Sequence, residues 1–75
     1  MERYKNLSGN SGVLEYDMGP ESITVQFRNG VYYAYTYRSA GPSKVEQMKK
    51  LAVAGKGLAS YIGRYAPRLY EAKWK

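Results

Sequence analysis

A chain of 75 residues buries only about 60% of the surface that its unfolded form exposes, which leaves room for one core and one domain. It has no cysteine and no histidine, so disulfides, thiolate metal sites, the commonest metal ligand and the usual general base near neutral pH are all excluded. The net charge of +6 is unevenly placed: residues 1–37 hold three cations against four carboxylates, whereas residues 38–75 hold nine against two.

The chain opens Met1-Glu2-Arg3-Tyr4-Lys5-Asn6 and contains no uninterrupted apolar stretch, so neither a secretory signal nor a membrane span is expected, and cytoplasm is the expected location. Residues 1–11 hold Asn, Ser and Gly without periodicity and read as an irregular lead-in. Within it, Gly9-Asn10-Ser11-Gly12 resembles a phosphate loop in composition alone, because it lacks the lysine and the strand-loop-helix setting.

The segment Val13-Leu14-Glu15-Tyr16-Asp17-Met18 alternates, which predicts a half-buried strand with Leu14, Tyr16 and Met18 on the apolar face. Glu15 and Asp17 then share the other face, where they balance Arg28 or Arg38 or make a weak hard-metal contact. After a turn at Gly19-Pro20-Glu21, Ser22 to Arg28 alternates again, with Ile23, Val25 and Phe27 on the apolar side.

The turn at Asn29-Gly30 decides where four tyrosines point. A two-residue loop would turn Tyr33, Tyr35 and Tyr37 away from the apolar side. A three-residue loop of Arg28, Asn29 and Gly30 pairs Val25 with Tyr33 and Ile23 with Tyr35, collecting every large apolar residue of the hairpin on one face. Because a one-residue slip inverts a strand, the hydrophobic pattern favours the three-residue loop. Tyr33, Tyr35 and Tyr37 are therefore predicted core-facing and Tyr32 outward.

Ser43-Lys44-Val45-Glu46 reads as a capping box at a helix start. Val45, Met48, Leu51 and Ala52 form the buried stripe, Lys49 and Lys50 lie off it, and Gly55 and Gly57 end the helix. Leu58, Tyr61, Ile62 and Tyr65 predict a second helix with Ser60 and Arg64 on its outer side, broken at Pro67. Residues 68–75 read as a further helical turn with a frayed end.

The predicted fold class is α+β: a three-stranded antiparallel β-meander followed by two α-helices packed on one face. It forms one domain over residues 1–75, with the lead-in over 1–11, the strands within 12–38, the helices within 43–66 and a short tail over 67–75.

Val25-Gln26-Phe27, Gly30, Tyr33-Ala34-Tyr35, a helix ending near Ala54-Gly55-Lys56-Gly57 and a closing Tyr70 together resemble the KTSC domain over roughly Val13 to Tyr70. That family is named for the C-terminus of certain lysyl-tRNA synthetases and also occurs as free-standing small bacterial proteins. The resemblance implies one small domain with RNA as the suggested ligand and no established activity. Where the family shows an isoleucine-arginine step before its final tyrosine, this chain has Ala66-Pro67, with Arg68 one position later.

The residues themselves point to a non-catalytic binding module without cofactor or metal. Lys49, Lys50, Lys56, Arg64, Arg68, Lys73 and Lys75 make a phosphate-tracking stripe if they share a surface, and solvated helix faces if they do not. Trp74 between Lys73 and Lys75 is the best candidate for stacking on an unpaired base, with Tyr32 and Tyr70 behind it; the indole can equally dock on the core. RNA or another nucleic acid is the first partner class. The alternative is a protein partner, a second copy of the chain included, met at the sheet face around Tyr32 or at an open strand edge.

Overall fold

The computed structural model describes residues 1–9 and 11–75. Among these, five strands form one antiparallel sheet in sequence order: β1 (Glu2–Arg3), β2 (Val13–Gly19), β3 (Ser22–Phe27), β4 (Tyr32–Thr36) and β5 (Ala72–Trp74). Between β4 and β5 run α1 (Tyr37–Ala40), α2 (Pro42–Ala54) and α3 (Leu58–Tyr65). The α+β layering with helices on one sheet face is as predicted, whereas the sheet gains a strand at each edge and the helical layer a short extra turn.

The hairpin register follows the hydrophobic pattern. Val25 faces Tyr33 and Ile23 faces Tyr35, the Phe27 amide donates to the Val31 carbonyl at 3.0 Å, and Gly30 closes the turn at φ +87°. Ile23, Val25 and Tyr35 are buried against Val45, Met48 and Ala52 of α2 and Leu58 and Ile62 of α3. Each buried Ile, Val, Leu or Met among them contributes about 1.5–3 kcal/mol of transfer free energy. Tyr33 is half-buried beside them.

Several expectations are corrected. A bulge between Val13 and Glu15 adds one residue to β2, so Val13 joins Tyr16 in the core while Leu14 is 40% exposed. Met18 keeps the inner side but lies beyond the α2 stripe and is 43% exposed. Tyr65, at the last turn of α3, is also half exposed, with its ring 4.9 Å from that of Tyr61.

The predicted capping box at Ser43 and Glu46 does not form; the one observed is made by Thr36 and Ser39, one helix earlier. Ser39 N donates to Thr36 Oγ1 at 3.0 Å and Thr36 N to Ser39 Oγ at 3.1 Å, which ends β4 and puts Tyr37 in α1 rather than in the strand. Pro42 opens α2 after Gly41, so Ser43 already lies inside the helix. Gly55 ends α2 in the left-handed region at φ +80°, as expected, and α3 stops at Tyr65, two residues before Pro67.

The lead-in is a structural part of the fold. The Tyr4 amide takes the carbonyl of the bulge residue Leu14 at 3.0 Å, and the Tyr4 hydroxyl accepts the Leu58 amide at 3.3 Å, satisfying a free donor at the start of α3. Leu7 N donates to Gly55 O at 2.7 Å. The run Gly9 to Gly12 includes Asn10, which lies outside the described residues.

The tail is β5, not a helical turn. It pairs Ala72 with Ala34, Lys73 with Tyr33 and Trp74 with Tyr32, covering the edge that β4 would otherwise present. Among the described residues no helix is long and apolar enough to cross a membrane.

Candidate functional site

Strand alternation puts Phe27, Tyr33 and Tyr35 on the inner sheet face, and beyond them α3 presents Ala59, Ile62 and Gly63. Because two of those three helix residues are small, α3 does not close over the rings. A cleft of about 310 Å³ remains, bounded by Asn29 at the hairpin tip and Pro67 after the helix. That volume lies at the lower end of the range for small-ligand sites, roughly 300–1,000 Å³.

The aromatic wall is ordered by edge-to-face contacts. Phe27 meets Tyr33 with centroids 5.3 Å apart at 89°, and Tyr70 meets Tyr33 at 5.1 Å and Tyr35 at 6.4 Å. The Lys73 ammonium sits 5.7 Å from the Tyr33 centroid and 6.0 Å from that of Tyr70, within cation–π reach of both. Burial, aided by the neighbouring Tyr33 and Tyr70, holds the Tyr35 hydroxyl well above the ordinary tyrosine range, so it stays protonated.

Exposed cations adjoin the lining residues, three of them in sequence and Lys73 and Lys75 in space. Arg28 lies between Phe27 and Asn29, Arg64 follows Gly63, Arg68 follows Pro67, and the Lys75 Cε is 3.5 Å from where a Cβ on Gly30 would stand. With Lys73 these are five positive charges, and among the described residues none has a carboxylate within ion-pair distance. A larger concavity of about 460 Å³ beside Pro20 and Arg38 carries Glu21 and Glu71 in its wall, which suits an anion poorly.

Of the residues singled out in the sequence, Lys73 is brought against the aromatic wall and Lys75 beside the hairpin turn, whereas Arg64 and Arg68 are exposed next in sequence to the lining residues Gly63 and Pro67, and Arg64 borders a separate concavity with Tyr61 and Tyr65. Lys56, between Gly55 and Gly57, stands at the opposite end of α3 from Arg64. Lys50 is exposed on α2 beside Met18 and Val53. Lys49 is occupied: its ammonium donates to Gly19 O at 2.8 Å and Pro20 O at 3.1 Å and pairs with Glu46 at 3.0 Å. The seven cations therefore form no single stripe along the helices.

Alternation in β5 also divides the Lys73-Trp74-Lys75 trio. Trp74 turns to the outer sheet face, where it stacks on Tyr32 with centroids 5.4 Å apart and planes 9° from parallel. That face bears Glu15 and Asp17, opposite Gln26 and Thr24, and the helices leave it uncovered. Neither carboxylate pairs with Arg28 or Arg38; Glu15 instead lies opposite Arg3 of β1.

Arg28, Asn29, Phe27 and Gly63 are not marked as binding residues by the sequence. The three-residue loop was the available signal for the first two, since it fixes which face the hairpin tip serves. No family model matches the chain significantly, and no curated protein and no solved structure does so either.

Proposed function

We propose that this chain is a non-catalytic module that binds single-stranded nucleic acid, with RNA as its preferred ligand. The observation that carries the reading is a cleft walled by Phe27, Tyr33 and Tyr35, with the Lys73 ammonium over the Tyr33 ring, Lys75 beside Gly30 of the hairpin turn, and the exposed Arg28, Arg64 and Arg68 each next in sequence to a lining residue. Unpaired bases bring a flat π-surface and phosphates bring charge, and this arrangement offers a complement to each. The resemblance to the KTSC domain supports RNA over DNA.

Fluorescence anisotropy with a labelled single-stranded RNA of mixed sequence tests the proposal. Affinity falls with salt by a logarithmic slope of about 0.7 per phosphate neutralised. The double variant Arg68→Gln with Lys73→Gln binds more weakly and lowers that slope by about 1.4, whereas Lys50→Gln, away from the cleft, changes little. Absence of binding at low salt, or an unchanged slope in the double variant, rejects the reading.

A second reading, a protein-interaction module that is homodimeric in one version, is supported by the uncovered outer face with its Tyr32 and Trp74 stack. Sedimentation over a range of concentrations tests the dimer. A monomer throughout removes that version.

A further inference from the structure

We propose that the cleft between the β3–β4 hairpin and α3 takes in one unstacked keto base of a strand, uracil or guanine, whose edge is read by the Tyr35 hydroxyl and the Asn29 amide. This rests on the nucleic-acid reading above and adds base selectivity to it. Tyr35 is only 1% exposed, and its hydroxyl has no hydrogen-bond partner among the described residues. Yet no buried polar side-chain atom there is sealed off without a partner, so the small part of Tyr35 still open includes that hydroxyl, and Tyr35 lines the cleft. Buried tyrosine hydroxyls ordinarily find a partner, and this one is open to take it from water or from a ligand that replaces that water in the cleft.

Asn29 is oriented by its own turn. Its Oδ1 accepts the Val31 amide at 3.0 Å, which leaves the two Nδ2 hydrogens for a ligand. The lining thus offers the Asn29 amide as a donor and the Tyr35 hydroxyl as a donor or acceptor, and contains no carboxylate to accept from an exocyclic amino group. Carbonyl oxygens of a keto base match that set better than the amino groups of adenine or cytosine.

Gly63 leaves an open slot, since a Cβ built there meets nothing within 4 Å. Lys75 stands beside Gly30 at the hairpin and Lys73 over the Tyr33 ring, and the exposed Arg28, Arg64 and Arg68 adjoin in sequence the lining residues Asn29, Gly63 and Pro67. Phosphates before and after an inserted base meet that arrangement, which favours a strand over a free nucleotide.

Anisotropy competition with single-stranded oligouridine, oligoadenine and oligocytosine RNA reads the selectivity. Oligouridine binds roughly tenfold tighter, the scale of one direct hydrogen bond. Tyr35→Phe removes most of that difference while leaving the salt slope unchanged, and Gly63→Leu weakens binding of all three with its circular dichroism spectrum intact. Equal affinity for the three RNAs, an undiminished uridine preference in Tyr35→Phe, or full binding by folded Gly63→Leu overturns the inference. Uridine monophosphate matching oligouridine as a competitor overturns the assignment to a strand. Equal affinities with an intact salt slope leave the nucleic-acid reading standing, whereas no RNA binding removes both.

Discussion

Lys49 and Lys50 are adjacent in sequence and do different work. The Lys49 side chain is 16% exposed, and its ammonium ties α2 to the β2–β3 turn through the Gly19 and Pro20 carbonyls while holding Glu46. Lys50 projects into water. Lys49→Met keeps the aliphatic stem and loses the charged hydrogen bonds; because water can reach the freed carbonyls, the expected loss of stability is about 1 kcal/mol. Lys50→Met should fall within about 0.5 kcal/mol of wild type. Urea unfolding of the two variants checks the contrast, and equal midpoints would mean that the turn is held by other contacts. Helical spacing in the sequence puts both lysines off the buried stripe, but it carries no information on which of them meets the hairpin.

At the scale of elements, the β3–β4 hairpin depends on one glycine. Gly30 holds φ +87°, its amide donates to Phe27 O at 2.9 Å, and the nearest atom to an added Cβ is Lys75 Cε at ordinary contact distance. Gly30→Ala therefore costs conformational strain rather than a clash, about 1–2 kcal/mol. For a domain of this size that lowers the melting temperature by roughly 4–8 °C per kcal/mol, measurable by circular dichroism. An unchanged melting temperature would contradict the turn geometry on which the register rests. The outer strands show the opposite balance between local and long-range forces. Glu71-Ala72-Lys73 has good helix propensity, yet the free edge of β4 draws residues 72–74 into a ladder because unpaired backbone groups are more costly than a modest propensity difference.

For the molecule as a whole, pH acts through Tyr35 and Tyr37 at the alkaline end and through Glu46 in acid. Burial raises the Tyr35 pKa above 10.0, and the hydrogen bond to Glu46 raises that of the partly buried Tyr37. A raised tyrosine pKa means that the folded state holds its proton more tightly. The associated stability is complete below pH 10.0 and is lost as pH rises through the folded value. Tyr35→Phe should thus lose less stability than wild type between about pH 7 and pH 11 by urea titration, and a parallel loss would reject Tyr35 as a source of alkaline sensitivity. Glu46 has the opposite sign: the Tyr37 hydroxyl, then Lys49, holds its pKa below 4.5, so its small contribution is present above that value and fades in acid.

Sequence by itself determined the central hairpin, its inward Tyr33 and Tyr35, the stripes of α2 and α3 and the glycine stop between them. Each of these follows from side-chain period and from glycine geometry, which act over a few neighbouring residues. The β2 bulge, the two edge strands and the place of Tyr4 are long-range matters, decided when residues 2–4 and 72–74 meet backbone groups far away in the chain. The candidate site divides in the same way. The cations were countable in the sequence, but only tertiary structure separated Lys49 and Trp74 from the rest and set Asn29 in one cleft with Gly63 and Pro67, since a binding surface joins segments that no local period relates.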